Sequence, residues 1–79
     1  QSIPDLILET EVERIPELLT LPNARQLTDT TVAVPNLSRE NVAWLLGQMA
    51  ALNVPIFEAR RAQQSLEEVF MDLTVQGSL

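Results

Sequence analysis

Carboxylates are the one class of side chain in this chain with both acid–base chemistry and the numbers to supply a working pair. There are eleven aspartates and glutamates, five arginines, and no histidine, cysteine, lysine or tyrosine. Without imidazole or thiolate, nitrogen and sulfur metal sites are excluded. Ser–His, Cys–His and lysine-based activation of a nucleophile are excluded with them. The two glycines, Gly47 and Gly77, are too few for a phosphate-cradling loop, and the Walker A sequence lacks even its lysine. Glu9, Glu11 and Glu13 alternate, the composition of a weak Ca²⁺ or Mg²⁺ site. Residues that alternate while passing from a strand into a helix do not converge on one ion. The trio reads instead as a solvated strand end plus negative charge at a helix N-terminus. No carboxylate pair at helical spacing lies on an apolar or concave face, so a stand-alone enzyme is the weakest functional class. No catalytic, cofactor-binding or metal residue is expected.

The residues that remain are suited to adhesion. At 100° per residue, Trp44 falls opposite the apolar stripe Val42, Leu45, Leu46 and Met49, with Gly47 and Ala51 on its own side. A tryptophan beside small residues is a candidate contact anchor; the alternative is a ring packed on its own helix. Arg60 and Arg61 are candidate salt-bridge donors to a partner surface, with local pairing to Glu58, Glu67 or Glu68 as the alternative, worth ~0–1 kcal/mol when exposed.

A chain of 79 residues has room for one small domain, and a start at Gln1 suits a piece of a longer protein. The net charge of −6 repels phosphate backbones and anionic lipid heads, which argues against nucleic-acid binding. The absence of cysteine fits a cytosolic protein. No apolar run approaches the ~20 residues of a membrane span.

The elements that position these residues follow from period and punctuation. Leu6-Ile7-Leu8-Glu9, after Pro4 and Asp5, predicts a strand over about 5–10. Thr10 or Glu11 is placed to cap a helix through Val12, Ile15, Leu18 and Leu19, with Pro16 in or near its first turn and a stop at Leu21-Pro22-Asn23. Residues 24–28 and Thr31–Val34 read as a hairpin about Thr28-Asp29-Thr30. Ser38 caps the longest helix, 39–52, whose stripe adds Leu52 and whose stop is Asn53. Val54 to Arg60 reads as a fourth strand, with Pro55 placing it at an edge or at a strand start.

The last element has the sharpest start. Ser65 and Glu68 have the spacing of a capping box, Glu67 and Glu68 favour the first turn of a helix, and Leu66, Val69, Phe70 and Leu73 form one apolar stripe. Full burial of that stripe would contribute about 6–12 kcal/mol before entropy, comparable with the ~4–12 kcal/mol net stability of a domain this size. Residues 75–79 read as a tail.

The order β-α-β-β-α-β-α predicts an α+β domain over residues 5–74. Its first six elements match the ferredoxin-like βαββαβ sandwich, a four-stranded antiparallel sheet with two helices on one face, and the C-terminal helix is an addition. Leu6, Leu8, Val32, Val34, Val54 and Ile56 are expected to face the two helices. Ile7, Ala33, Phe57 and Ala59 collect on the opposite face, which is too apolar to stay wet. The candidate covers are helix 65–74, the same helix from a second copy, or the rest of a longer chain. Exchange of a terminal helix is a low-cost route to a dimer.

The run Ser65-Leu66-Glu67-Glu68-Val69-Phe70-Met71-Asp72-Leu73-Thr74 resembles the "SLEEVF…LT" ending of bacterial ABC transporter ATP-binding subunits of the ABC-2-type exporter class. Val54-Pro55-Ile56-Phe57-Glu58-Ala59-Arg60-Arg61 resembles the strand and basic pair that precede it there, and looser similarity extends back to about Leu6. The resemblance implies a C-terminal accessory domain that follows an ATPase domain. That parent domain would hold the ATP, the Mg²⁺ and the Walker A, Walker B and signature motifs, so that this piece does not hydrolyse ATP. It also implies a cytoplasmic subunit, peripheral to the inner membrane through a permease, that works as a dimer. Expected contacts are with the ATPase domain or a second copy, through Leu66, Val69, Phe70, Leu73, Phe57, Trp44, Arg60 and Arg61. A different class stays open: a small-molecule-sensing module of ferredoxin-like fold, resembling regulatory amino-acid-binding domains, although the glycine-rich turn such sites use is absent.

Overall fold

The structure, a computed structural model, describes residues 3–63. The expected helix 65–74 and tail 75–79 lie outside the described residues. Four strands and two helices follow in order: β1 (Leu6–Glu9), α1 (Ile15–Leu18) after a 3-10 turn at Val12–Arg14, β2 (Arg25–Gln26), β3 (Thr31–Val34), α2 (Arg39–Ala51) and β4 (Glu58–Arg61). The fold is α+β, a four-stranded antiparallel sheet with strand order β2-β3-β1-β4.

Register decides which residues share a face. Leu6 and Leu8 stand opposite Val34 and Val32 on one side, and opposite Arg61 and Ala59 on the other. The core forms on that face, where Leu6, Leu8, Val32 and Val34 pack with Ile15 and Leu18 of α1, Leu45 and Met49 of α2, and Val54. Both helices therefore cover one face, as alternation of apolar residues along the strands requires.

The local signals for α2 hold in detail. The Ser38 hydroxyl accepts the Asn41 amide at 3.2 Å, an N-cap bond that satisfies one orphan donor of the first turn. At the other end Asn53 takes a positive φ of 60°. The Val54 amide donates to the Met49 carbonyl at 2.8 Å and the Asn53 amide to the Ala50 carbonyl at 3.1 Å. That pair of bonds is the Schellman motif, with buried Val54 as its apolar closing residue. Ending the helix at Ala51 leaves Leu52 as the C-cap and 57 % exposed, so it does not complete the expected stripe.

Three other expectations need correction. The first helical segment starts as a 3-10 turn and buries only Ile15 and Leu18, while Val12 and Leu19 stay exposed. Neither candidate cap acts as one: Glu11 makes no side-chain cap bond, and the Thr10 hydroxyl donates to the Pro55 carbonyl instead. The second strand is two residues long, Arg25–Gln26. The fourth strand begins at Glu58 rather than Val54. Pro55 has no amide to give a ladder, and the Phe57 amide donates to the Glu9 carbonyl, which the regular register places opposite Glu58. Such an offset marks a bulge at the entry to β4.

This later start changes the second face of the sheet. Ala59 lies on the helix face, opposite Leu8, not on the outer face. The outer face carries Ile7 and Ala33 at its centre, both buried. Around them the register places Glu9, Thr31, Arg25, Arg60 and Glu58. Asp5, by alternation from Ile7, belongs to the same face, and its carboxylate meets the Arg25 guanidinium at 2.9 Å. The apolar part of the outer face is thus one isoleucine and one alanine among charged neighbours.

Candidate interaction surface

The expected contact residues separate into distinct places. Trp44 is 65 % exposed on α2, with Gly47 and Ala51 exposed beside it. A Cβ added at Gly47 would meet no atom within 4 Å, so packing within the described residues does not require that glycine. Phe57, 63 % exposed, stands just before β4, which begins at Glu58, and borders the cleft beside that strand. Leu66, Val69, Phe70 and Leu73 lie outside the described residues.

Adjacent arginines on a strand point to opposite faces, and the two separate accordingly. Arg60 lies on the outer face and pairs with Glu58 at 3.7 Å, both side chains more than half exposed. This is the local pairing weighed above, of the kind that contributes ~0–1 kcal/mol. Arg61 instead donates from Nη2 to the Leu37 carbonyl at 2.7 Å and from Nη1 to the Pro4 carbonyl at 3.2 Å. Its fork ties the end of β4 to the loop before α2 and to the segment before β1. Neither reading of Arg61 foresaw carbonyl acceptors. Its role within the described residues is to hold the ends of three segments together.

Phe57 and Ala59 belong to an open cleft of about 790 Å³ between the C-terminal half of α2 and the start of β4. Leu46, Ala50, Val54 and Ile56 supply its apolar wall, and Glu11, Arg14 and Glu58 its charged rim. Its strand side is β4, a terminal strand of the sheet among the described residues. The cleft is built by two features. The Schellman turn redirects the chain at Asn53, and Thr10, 1 % exposed, fixes the following loop by a 2.6 Å hydrogen bond from its hydroxyl to the Pro55 carbonyl. Sequence reading missed this bond. A threonine directly after an apolar strand looks like a cap, and only the tertiary placement of Pro55, 45 positions on, supplies the other acceptor.

Glu9, Glu11 and Glu13 do not come together as a metal site: among the described residues no group of three or more acidic, histidine or cysteine side chains is placed to hold an ion. Among the described residues the arrangement offers exposed apolar area, a terminal strand and separate charges of both signs. No helix among the described residues is long and apolar enough to cross a membrane. Comparison with protein-family models, curated proteins and solved structures returns no match to this chain.

Proposed function

We propose that the chain is a non-catalytic accessory domain at the C-terminus of an ABC transporter ATP-binding subunit of the ABC-2-type exporter class. Its work in this reading is to make protein contacts that position or regulate the subunit dimer. The observation that carries it is the run Ser65–Thr74 with its resemblance to the closing phrase of those subunits, preceded by Val54–Arg61 in the matching place. Two findings support it. The strand order β2-β3-β1-β4, with both helices on one face, is compatible with the ferredoxin-like sandwich that the resemblance implies. The exposed side chains of Trp44 and Phe57 suit adhesion. ATP and Mg²⁺ would be held by the parent ATPase domain, and the permease would be reached through it, on the cytoplasmic side.

The coding sequence ahead of Gln1 tests this directly. It is expected to carry Walker A, signature and Walker B motifs and a switch histidine; an upstream reading frame without them overturns the reading. Phe70→Asp tests the contact role, with a changed association state on gel filtration as the expected result. An unchanged fold together with unchanged association counts against it.

The cleft favours a second reading, a small-molecule-sensing module of ferredoxin-like fold. Its volume and its mixture of apolar wall and charged rim suit a small polar ligand. A thermal-shift screen with amino acids and nucleotides separates the two readings, since a ligand at 100 times its Kd adds ~2.7 kcal/mol to stability.

A further inference from the structure

β4 is one of the two terminal strands of the sheet among the described residues, and its sequence Glu58-Ala59-Arg60-Arg61 has a property that its place in the fold makes consequential. In an antiparallel ladder alternate residues aim their amide and carbonyl at the neighbouring strand, and the residues between them aim theirs away. The Ala62 amide donates to the Asp5 carbonyl at 2.8 Å, which fixes the phase. Glu58 and Arg60 address β1, and Ala59 and Arg61 turn their backbone groups outward. Among the described residues no strand lies beyond them. An edge of this kind is a template for another strand.

We infer that this edge pairs with β4 of a second copy of the chain, antiparallel, with Ala59 opposite Ala59 across a two-fold axis perpendicular to the sheet. Charge complementarity selects both the occupant and the register. A perpendicular axis keeps each face continuous, so registers differ by whole pairs of residues. With Ala59 centred, Glu58 of each copy stands opposite Arg60 of the other on the outer face, twice by symmetry. Opposite charges directly across a strand pair attract. Moving one pair along sets Arg60 against Arg60, and the next step sets Arg61 against Arg61, both of which repel. The same axis brings the cleft beside β4 next to its copy, so that exposed Phe57 and the neighbouring Leu46 and Ala50 add apolar area along the new seam. This deepens the contact role proposed above and rests on it. The two fail separately, because the upstream coding sequence decides the transporter reading without reference to self-association.

The test is sedimentation equilibrium of the 79-residue chain across a concentration series, with amide exchange read at single residues. The wild type is expected to dimerise, and the Ala59 and Arg61 amides to exchange fast when dilute and slowly when concentrated. Glu58→Arg is expected to weaken association roughly tenfold or more, about 1.4 kcal/mol, and the exchanged pair Glu58→Arg with Arg60→Glu to restore it. Ala59→Pro removes only an outward amide at an edge where proline is tolerated, so it is expected to abolish the dimer and leave the circular dichroism spectrum intact. The chain has no cysteine of its own. Ala59→Cys is therefore expected to form a single disulfide-linked species, since about 5.5 Å between paired Cα atoms lies within disulfide range. A chain that stays monomeric at every concentration overturns the inference. So does slow exchange at Ala59 and Arg61 in a dilute monomer, which would mean that the edge is taken within the chain, or a dimer that survives Ala59→Pro.

Discussion

Replacing Thr10 by valine isolates one hydrogen bond on which the placement of β4 depends. Thr10 is 1 % exposed and its hydroxyl donates to the Pro55 carbonyl at 2.6 Å. Valine keeps the β-branched shape, so no cavity opens, but the Pro55 carbonyl loses its side-chain donor. The bond is part-buried, so the penalty for an unsatisfied buried acceptor, about 1–3 kcal/mol, is an upper bound. Removing the hydroxyl also removes its own desolvation cost, which places the net effect in the lower part of that range, about 1–2 kcal/mol. A domain of this size has a total of ~4–12 kcal/mol, so the change is a sizeable fraction of the whole. At ~4–8 °C per kcal/mol, Tm is expected to fall by roughly 4–16 °C. Urea unfolding followed by circular dichroism measures the same loss as a lower midpoint at unchanged slope. The Phe57 amide, which donates to the Glu9 carbonyl next to Thr10, is expected to exchange faster. If Thr10→Val melts with the wild type and the Phe57 amide keeps its protection, the loop before β4 is held by something other than this bond, and the account of the cleft fails.

Three further predictions rest on single residues. Ser38→Ala removes the bond to the Asn41 amide and is expected to cost about 0.5–2 kcal/mol, with Ser38→Asp close to wild type because aspartate caps as well; thermal melts of the two variants check this. Leu18→Ala empties a fully buried position between α1 and the sheet, and at about 2–5 kcal/mol it is expected to leave the chain largely unfolded or far less stable by urea titration. Gly47→Ala adds a methyl group where nothing lies within 4 Å, in the interior of α2, and is expected to raise stability by about 0.8–1 kcal/mol through helix propensity. A variant that gains this stability and also loses self-association would show that the Trp44 side of α2 is occupied by a partner in solution.

Much of the architecture was written in local chemistry. Ser38 and Asn53 bracket α2 because a side-chain oxygen at one end and a tolerated positive φ at the other act within a few residues of themselves. Thr31–Val34 was legible to the residue, since a β-branched run closed by a proline has few other conformations. The α+β class followed from the order of those elements. What was not legible depended on partners far along the chain. Val12 and Leu19 have helical spacing, yet the segment is only partly helical and leaves both outside the core. Spacing says which residues share a face, not how much of that face a neighbour reaches.

The same limit governs the interaction surface, and β4 shows why. Reading alternation from Val54 assigned Phe57 and Ala59 to the outer face and made that face look strongly apolar. The phase of a strand is set where its ladder begins, and here it begins after the chain has turned at Asn53, passed Pro55 and been pinned by Thr10. Counted from that point, Ala59 faces the helices, Arg60 faces outward, and Arg61 reaches two carbonyls across the fold. The apolar part of the outer face shrinks to Ile7 and Ala33, both already buried. In the reading proposed above the contact moves to the edge of the sheet, where among the described residues Ala59 and Arg61 turn backbone groups outward and Glu58 and Arg60 alternate in sign. In the adhesive reading proposed above, the contact falls at a strand border defined by register, which no count of apolar residues along the sequence would have located.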